Sequence, residues 1–232
     1  MEGTGGGMWS QAWNYVLSHP DKILEWTLQH LYIVLVANAS AAIFGVLIGI
    51  YISGKGRERI ADTVIYFASI MMTIPSLALY GFLMGILSAL SLPSIGFLPV
   101  VIALTLYGLL PIIRNTYTAI REVDPAMIEA GRGMGMSETQ ILTKIKLPLA
   151  VPVIMAGLRQ AVVMNIGIAA IGAYIGAGGL GQPIFRGIAN YRTDLIIVGA
   201  VFVSLLAIVI DALMGGLEWL TTPKGVRIRR KR

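Results

Sequence analysis

Residues Glu129 to Pro148 read EAGRGMGMSETQILTKIKLP, a polar stretch between long apolar runs. Just before it, Asp124-Pro125 has the form of a helix start, a side-chain cap followed by proline at the first helical position. Gly131, Gly133 and Gly135 are expected to break that helix. Ser137-Glu138-Thr139-Gln140 fits a capping box and predicts a second short helix carrying Ile141, Leu142 and Ile145, limited by Pro148. The stretch therefore reads as helix, tight turn, helix at a membrane surface, a form suited to docking in a partner's groove. On capping chemistry alone, an ordinary loop remains the competing account.

The membrane follows from what surrounds it. Of 232 residues 56% are hydrophobic and 13% charged, far from the balance of a soluble domain. From Thr63 to Ile113 runs a stretch of 51 residues without one charge, enough for two spans of about 20 residues each. Five spans are predicted: Leu31–Ile52; Asp62–Leu90, bent near Pro75; Leu98–Ile120; Pro152–Ile175; and Leu195–Leu220. Ahead of them Trp9, Trp13, Val16 and Leu17 share one helical face. That predicts an interfacial helix with tryptophans at headgroup level, a frayed tail being the alternative. The organisation expected is a tail and interfacial helix over 1–28, a membrane domain over 29–223 with a cytoplasmic loop at 122–147, and a basic tail over 224–232.

Basic residues orient the spans. Fourteen of the 18 Lys and Arg fall on the side of the 122–147 loop and the C-terminus, and three, Lys22, Arg186 and Arg192, on the other. The asymmetry predicts a cytoplasmic C-terminus and an N-terminus outside. The first twenty residues hold no Lys or Arg, which argues against a cleaved signal peptide.

Motifs for bound cofactors fail in context. Gly49 to Lys55, GIYISGK, is one residue short of a phosphate-binding loop, has Gly56 where a magnesium-binding hydroxyl belongs, and ends a membrane helix. GAGGLG at Gly176–Gly181 matches a dinucleotide pattern but follows an apolar helix rather than a strand. There is no cysteine, and His19 and His30 are not at ligand spacing. No metal site, catalytic pair or enzyme activity is expected. The glycine pairs 45/49, 81/85 and 172/176 read as points of close helix packing.

Glu129-Ala130-Gly131, then Gly135, then Ile145, Leu147 and Pro148 stand at the spacing of the coupling loop of binding-protein-dependent ABC importer permeases, which the chain resembles from about Leu31 to Pro223. Gly131 departs from that family, which usually has a second alanine there. The resemblance implies an all-α integral membrane protein with a five-span permease core, working as a homo- or heterodimer in a prokaryotic plasma membrane. It implies cytoplasmic ATPase subunits that grip Glu129, Ala130, Gly131, Gly135, Ser137, Ile141 and Ile145, and an extracytoplasmic substrate-binding protein. ATP and Mg would be bound by the ATPase, and no cofactor by this chain. Gly176, Gly178, Gly179 and Gly181 would form an outer-gate loop.

IPSLA at 74–78, LYGLLPIIRN at 106–115, GLRQA at 157–161 and IGAGGLG at 175–181 are similar to permeases of osmoprotectant importers, which carry glycine betaine, carnitine and choline. A quaternary ammonium has no N–H donor, so aromatic faces suit it. Tyr66, Tyr80, Tyr107 and Tyr174, with Met71, Met72 and Asn165, are the candidates for such a path, packing or a place at the membrane interface being their alternative role. Methionine-type or phosphonate-type permeases share the loop and the glycine run, so they stay as rivals, as do an integral-membrane enzyme and a secondary carrier.

Arg159 and Asp211 are charges placed well inside the bilayer, on the fourth and fifth predicted spans. Each needs water, a partner or a route to the interface. Counted from Leu147 and Lys224, they lie at similar depth on consecutive spans, which predicts a pair; independent snorkelling is the alternative.

Overall fold

The computed structural model describes residues 7–222; the basic tail from Lys224 and the leading residues 1–6 lie outside them. Among the described residues ten α-helices follow in order: α1 Met8–Ser18, α2 Pro20–Ile52, α3 Glu58–Thr73, α4 Ser76–Ala89, α5 Phe97–Arg121, α6 Pro125–Gly133, α7 Glu138–Ile141, α8 Leu147–Ile171, α9 Gly181–Ala189 and α10 Thr193–Thr221. A π-helical turn, Leu142–Lys146, joins α7 to α8, and a 3-10 turn, Gly172–Ile175, extends α8.

Among the described residues four helical stretches are long and apolar enough to cross a membrane: Pro20–Ile52, Phe97–Arg121, Glu138–Ile175 and Thr193–Thr221. A fifth span exists if α3 and α4, bent by 103° at their break, are counted together. The break falls at Ile74-Pro75, where proline removes a backbone donor and disfavours helix in the residue before it. Two boundaries differ from the sequence reading. The short helix does not stop at Pro148, nor does a span begin near Pro152; helix continues from Glu138 through both. The π turn explains this. Leu147 donates to the carbonyl of Leu142, five residues back, so the widened turn accommodates a proline one residue later. The glycine-rich segment is also followed by a helix, α9, that periodicity did not reveal.

The chain divides into two compact units. Of the described residues, the first takes those up to Ala39 with Ile74–Thr105 and Val163–Ile210; the second takes Ser40–Thr73, Leu106–Val162 and those from Asp211 onward. In the first, Ala12, Ile23, Trp26, Leu180 and Val198 form a buried cluster. Buried polar groups tie its helices. His30 Nε2 donates to the carbonyl of Ile166 at 3.0 Å, and the Tyr80 hydroxyl to that of Ile168 at 3.1 Å. In the second unit, Ala41, Ile112 and Ala161 pack together, as do Ile52, Ala61 and Ile113.

Gly45 and Gly49 sit where a β-carbon would lie 2.7 Å from Ile112 Cγ2 and 2.5 Å from Thr116 Cβ, so α2 and α5 pack backbone to side chain there. Gly172 does the same against Val100. Gly81 and Gly85 do not: a β-carbon built at either would meet no neighbouring element within 4 Å, so among the described residues that pair makes no close helix contact.

Candidate functional site

The 122–147 segment is built by local capping. Asp124 Oδ1 accepts the Ala126 N–H at 2.9 Å, with Pro125 at the first position of α6. The helix runs through Gly131 and ends at Gly133, the second of the three glycines expected to break it. Gly135, at φ +77°, makes the turn. The Gly135 N–H reaches the carbonyl of Arg132 at 2.9 Å and the Met136 N–H that of Gly131 at 3.1 Å, the paired bonds of a left-handed helix end. Ser137 then opens α7 with a reciprocal box: its Oγ accepts the Gln140 N–H at 3.3 Å, and Gln140 Oε1 accepts the Ser137 N–H at 2.8 Å.

The two short helices close on Gly131. Ile141 is fully buried, Gly131 is buried, and a β-carbon at Gly131 would stand 2.8 Å from Ile145 Cδ1 and 3.5 Å from Ile141 Cγ1. Arg132 clips α6 to α7, donating to Glu138 Oε1 from Nε at 3.1 Å and from NH2 at 2.8 Å. Thus Gly131, Ile141 and Ile145 face inward and fix the shape, while Glu129, Ala130, Gly135 and Ser137 lie on the exposed side. Beside them Met127 and Met134 are exposed, at 46% and 73%. Sequence reasoning missed these two; the signal was flexible, polarizable methionines at 127 and 134 in a stretch rich in polar residues.

Arg159 and Asp211 meet in the second unit. Arg159 Nε donates to Asp211 Oδ1 at 2.5 Å and NH2 to Oδ2 at 2.6 Å, a bidentate pair between α8 and α10. A third group, not foreseen, joins them: Glu218 Oε2 lies 3.5 Å from Arg159 NH1. Asp211, Gly215 and Glu218 recur at helical spacing on α10. A β-carbon at Gly215 would stand 3.2 Å from Arg159 NH1, so the glycine leaves room for the guanidinium.

The candidate path residues belong to different units. Asn165 is fully buried in the first, its Nδ2 donating to Asn38 Oδ1 and the Leu104 carbonyl, both at 3.0 Å, so it ties α8 to α2 and α5. Tyr174 is 65% exposed, with its ring 5.5 Å from Phe185. Tyr107 is buried in the second unit, and Met71 and Met72 are half-buried near the end of α3.

The glycine loop turns left-handed at Gly176, Gly178 and Gly179. It is held by α2, where Gln29 Oε1 accepts the Gly179 N–H at 3.0 Å, and by the Gly96 N–H, which reaches the carbonyl of Ile175 at 2.9 Å. Gly181 opens α9 against the Ala170 carbonyl, where no β-carbon fits. Among the described residues no group of His, Cys, Asp and Glu could hold a metal ion.

Residues 45–219 match the family model described as the binding-protein-dependent transport system inner membrane component. The osmoprotectant import permease protein OsmW of Salmonella typhimurium is 44% identical over 214 residues, 92% of this chain and 98% of that protein. The carnitine transport permease protein OpuCB of Listeria monocytogenes is 42% identical, covering 90% and 92%. The glycine betaine/carnitine/choline transport system permease protein OpuCB of Bacillus subtilis is 38% identical, covering 94% and 97%. Among solved structures, an inward-facing form of the MetNI methionine ABC transporter superposes with TM-score 0.77 at 23% identity, covering 87% of this chain and 97% of that one. An amino acid ABC transporter crystallised with histidines gives 0.74 at 18%, covering 89% and 97%. The structural likeness shows the fold alone.

Proposed function

The chain belongs to the family of binding-protein-dependent transport system inner membrane components, and we propose that it is the permease subunit of an ATP-driven importer of osmoprotectants such as glycine betaine, carnitine and choline. The observation that carries the substrate class is the identity of 38–44% to permeases named for those solutes, over nine-tenths or more of this chain. Such an assignment displaces the integral-membrane enzyme, since the family and these relatives are transport permeases. It also favours osmoprotectants over the methionine-type rival, whose support is fold likeness at 23% identity.

In this reading the chain binds no nucleotide. Partner ATPases bind ATP and Mg and grip the face of Glu129, Ala130, Gly135 and Ser137, held in shape by Gly131, Ile141 and Ile145. Closure of the ATPases rocks the spans, which requires that contact to differ in free energy between the two states. The coupling stretch and C-terminus lie in the cytoplasm and the N-terminus outside, where a binding protein delivers solute and the loop of Gly176, Gly178, Gly179 and Gly181 gates its entry. Tyr107, Tyr174, Met71, Met72 and Asn165 border the path, and a second permease completes the dimer. α1 lies at the membrane interface, its Trp9 and Trp13 exposed at 70% and 63%.

The test is the complex purified with its ATPase, second permease and binding protein, reconstituted in vesicles. Glycine betaine, carnitine or choline should stimulate ATP turnover and accumulate inside. Stimulation by methionine or a phosphonate, with none of the three active, would overturn the substrate class.

A further inference from the structure

Beside the coupling stretch, the second unit holds a cavity of about 740 Å³ between the end of α2 and the segment from α7 into the π turn. Its lining mixes two chemistries: the aliphatic Leu47, Ile50 and Leu142, and the cations Lys55, Arg57 and Lys146. The carboxylate in the lining, Glu138, is already bonded to Arg132 at 2.8 Å. Lys55 and Lys146 form no ion pair among the described residues, and although both act on Glu138 at longer range, the three cations of the lining outnumber its one carboxylate.

The order along α2 is that of an amphiphile. Ile43, Leu47 and Tyr51 follow at four-residue steps and are 60%, 61% and 55% exposed, an apolar stripe ending at the cavity. Beyond the helix end the chain folds back. Arg57 donates to the carbonyl of Tyr51 at 2.7 Å, and its guanidinium sits 4.0 Å from that ring's centroid. The fold-back holds the cations where the stripe stops. A free phosphate or nucleotide would have no use for the aliphatic wall, whereas a lipid uses both parts.

We propose that this cavity seats the headgroup of an anionic phospholipid, its phosphate between Lys55 and Lys146 and an acyl chain along Ile43, Leu47 and Tyr51. Basic pockets beside membrane helices hold such headgroups through the same attraction. Lys146 lies on the π turn that carries the coupling segment into α8, so the lipid bridges α2 to that segment.

Native mass spectrometry of the full transporter complex, with phosphatidylglycerol and phosphatidylcholine as probes, tests this. Phosphatidylglycerol should be retained in preference, and Lys55→Gln and Lys146→Gln should each weaken its retention about fivefold. Leu47→Ser should weaken it as well, and Lys22→Gln, far along the chain, should not. Unchanged melting of each variant would separate lost binding from lost fold. Equal retention by wild type and both lysine variants would overturn the proposal. So would displacement of the lipid by excess inorganic phosphate, which marks a free-anion site, or its expulsion when the ATPase binds, which marks a partner's seat.

Discussion

Arg159 on α8 and Asp211 on α10 face each other with both carboxylate oxygens engaged, at 2.5 and 2.6 Å, although 52 positions separate them in the chain. Fork-to-fork geometry of this kind is available to arginine and not to lysine. Arg159→Gln and Asp211→Asn should each impair uptake in the reconstituted complex, and the double substitution should cost less than the sum. Arg159→Lys should recover little, since one ammonium cannot bond both oxygens in parallel. Glu218→Gln should act more weakly, its contact being 3.5 Å. Strict additivity of the two single losses would show that the pair does not act as a unit.

Glu129 stands exposed on α6 and enters no ion pair among the described residues, so its charge is available to a partner. Glu129→Arg reverses that charge without touching the buried contacts at Gly131. Solute-driven ATP turnover should fall to the unstimulated level while the protein still inserts and is extracted in normal amounts. Uptake at the wild-type rate would rule the contact out.

At Gly131 the outcome depends on side-chain size. A methyl group there meets the tip of Ile145, a flexible end that can turn away. Alanine also gains about 0.5–1 kcal/mol of helix preference over glycine. Gly131→Ala should therefore leave thermal stability within a few degrees of wild type (roughly 1 kcal/mol shifts a midpoint by a few degrees in a chain this size). Gly131→Leu should split α6 from α7 and uncouple ATP turnover from solute. Amide hydrogen exchange across 131–145 would read the difference directly.

The Gly179 N–H is bonded to Gln29, and the residue has φ +80°. A β-carbon there would also press to 3.0 Å on His30 Nδ1. Gly179→Ala should thus slow uptake more than Gln29→Ala, which removes the hydrogen bond but leaves the backbone free. If the loop is the outer gate, both variants should keep normal ATPase assembly, checked by co-purification. Equal effects of the two substitutions would place the constraint in the hydrogen bond rather than in the backbone.

Much of the candidate site was legible because its signals are local. Asp124-Pro125 and Ser137 through Gln140 cap helices with atoms two or three residues away, and the structure places those bonds as the spacing predicts. The apolar runs marked the long helices for the same reason. The pair of Arg159 and Asp211 needed only depth counted along two helices. The π turn ahead of Pro148 had no such signal, since composition does not distinguish it from a regular turn.

What the amino-acid order determined by itself was the membrane class, the long apolar segments and the capped helix–turn–helix, each set by interactions within a few residues. Only tertiary packing decided that Gly131 would be covered by Ile145, that Glu218 would join Arg159, and that Gln29 would hold Gly179. It also decided that Gly45 and Gly49 would meet a neighbouring helix while Gly81 and Gly85 would not. A small residue permits close approach, but which helix approaches is settled by the whole packed set of helices and is not encoded at the glycine.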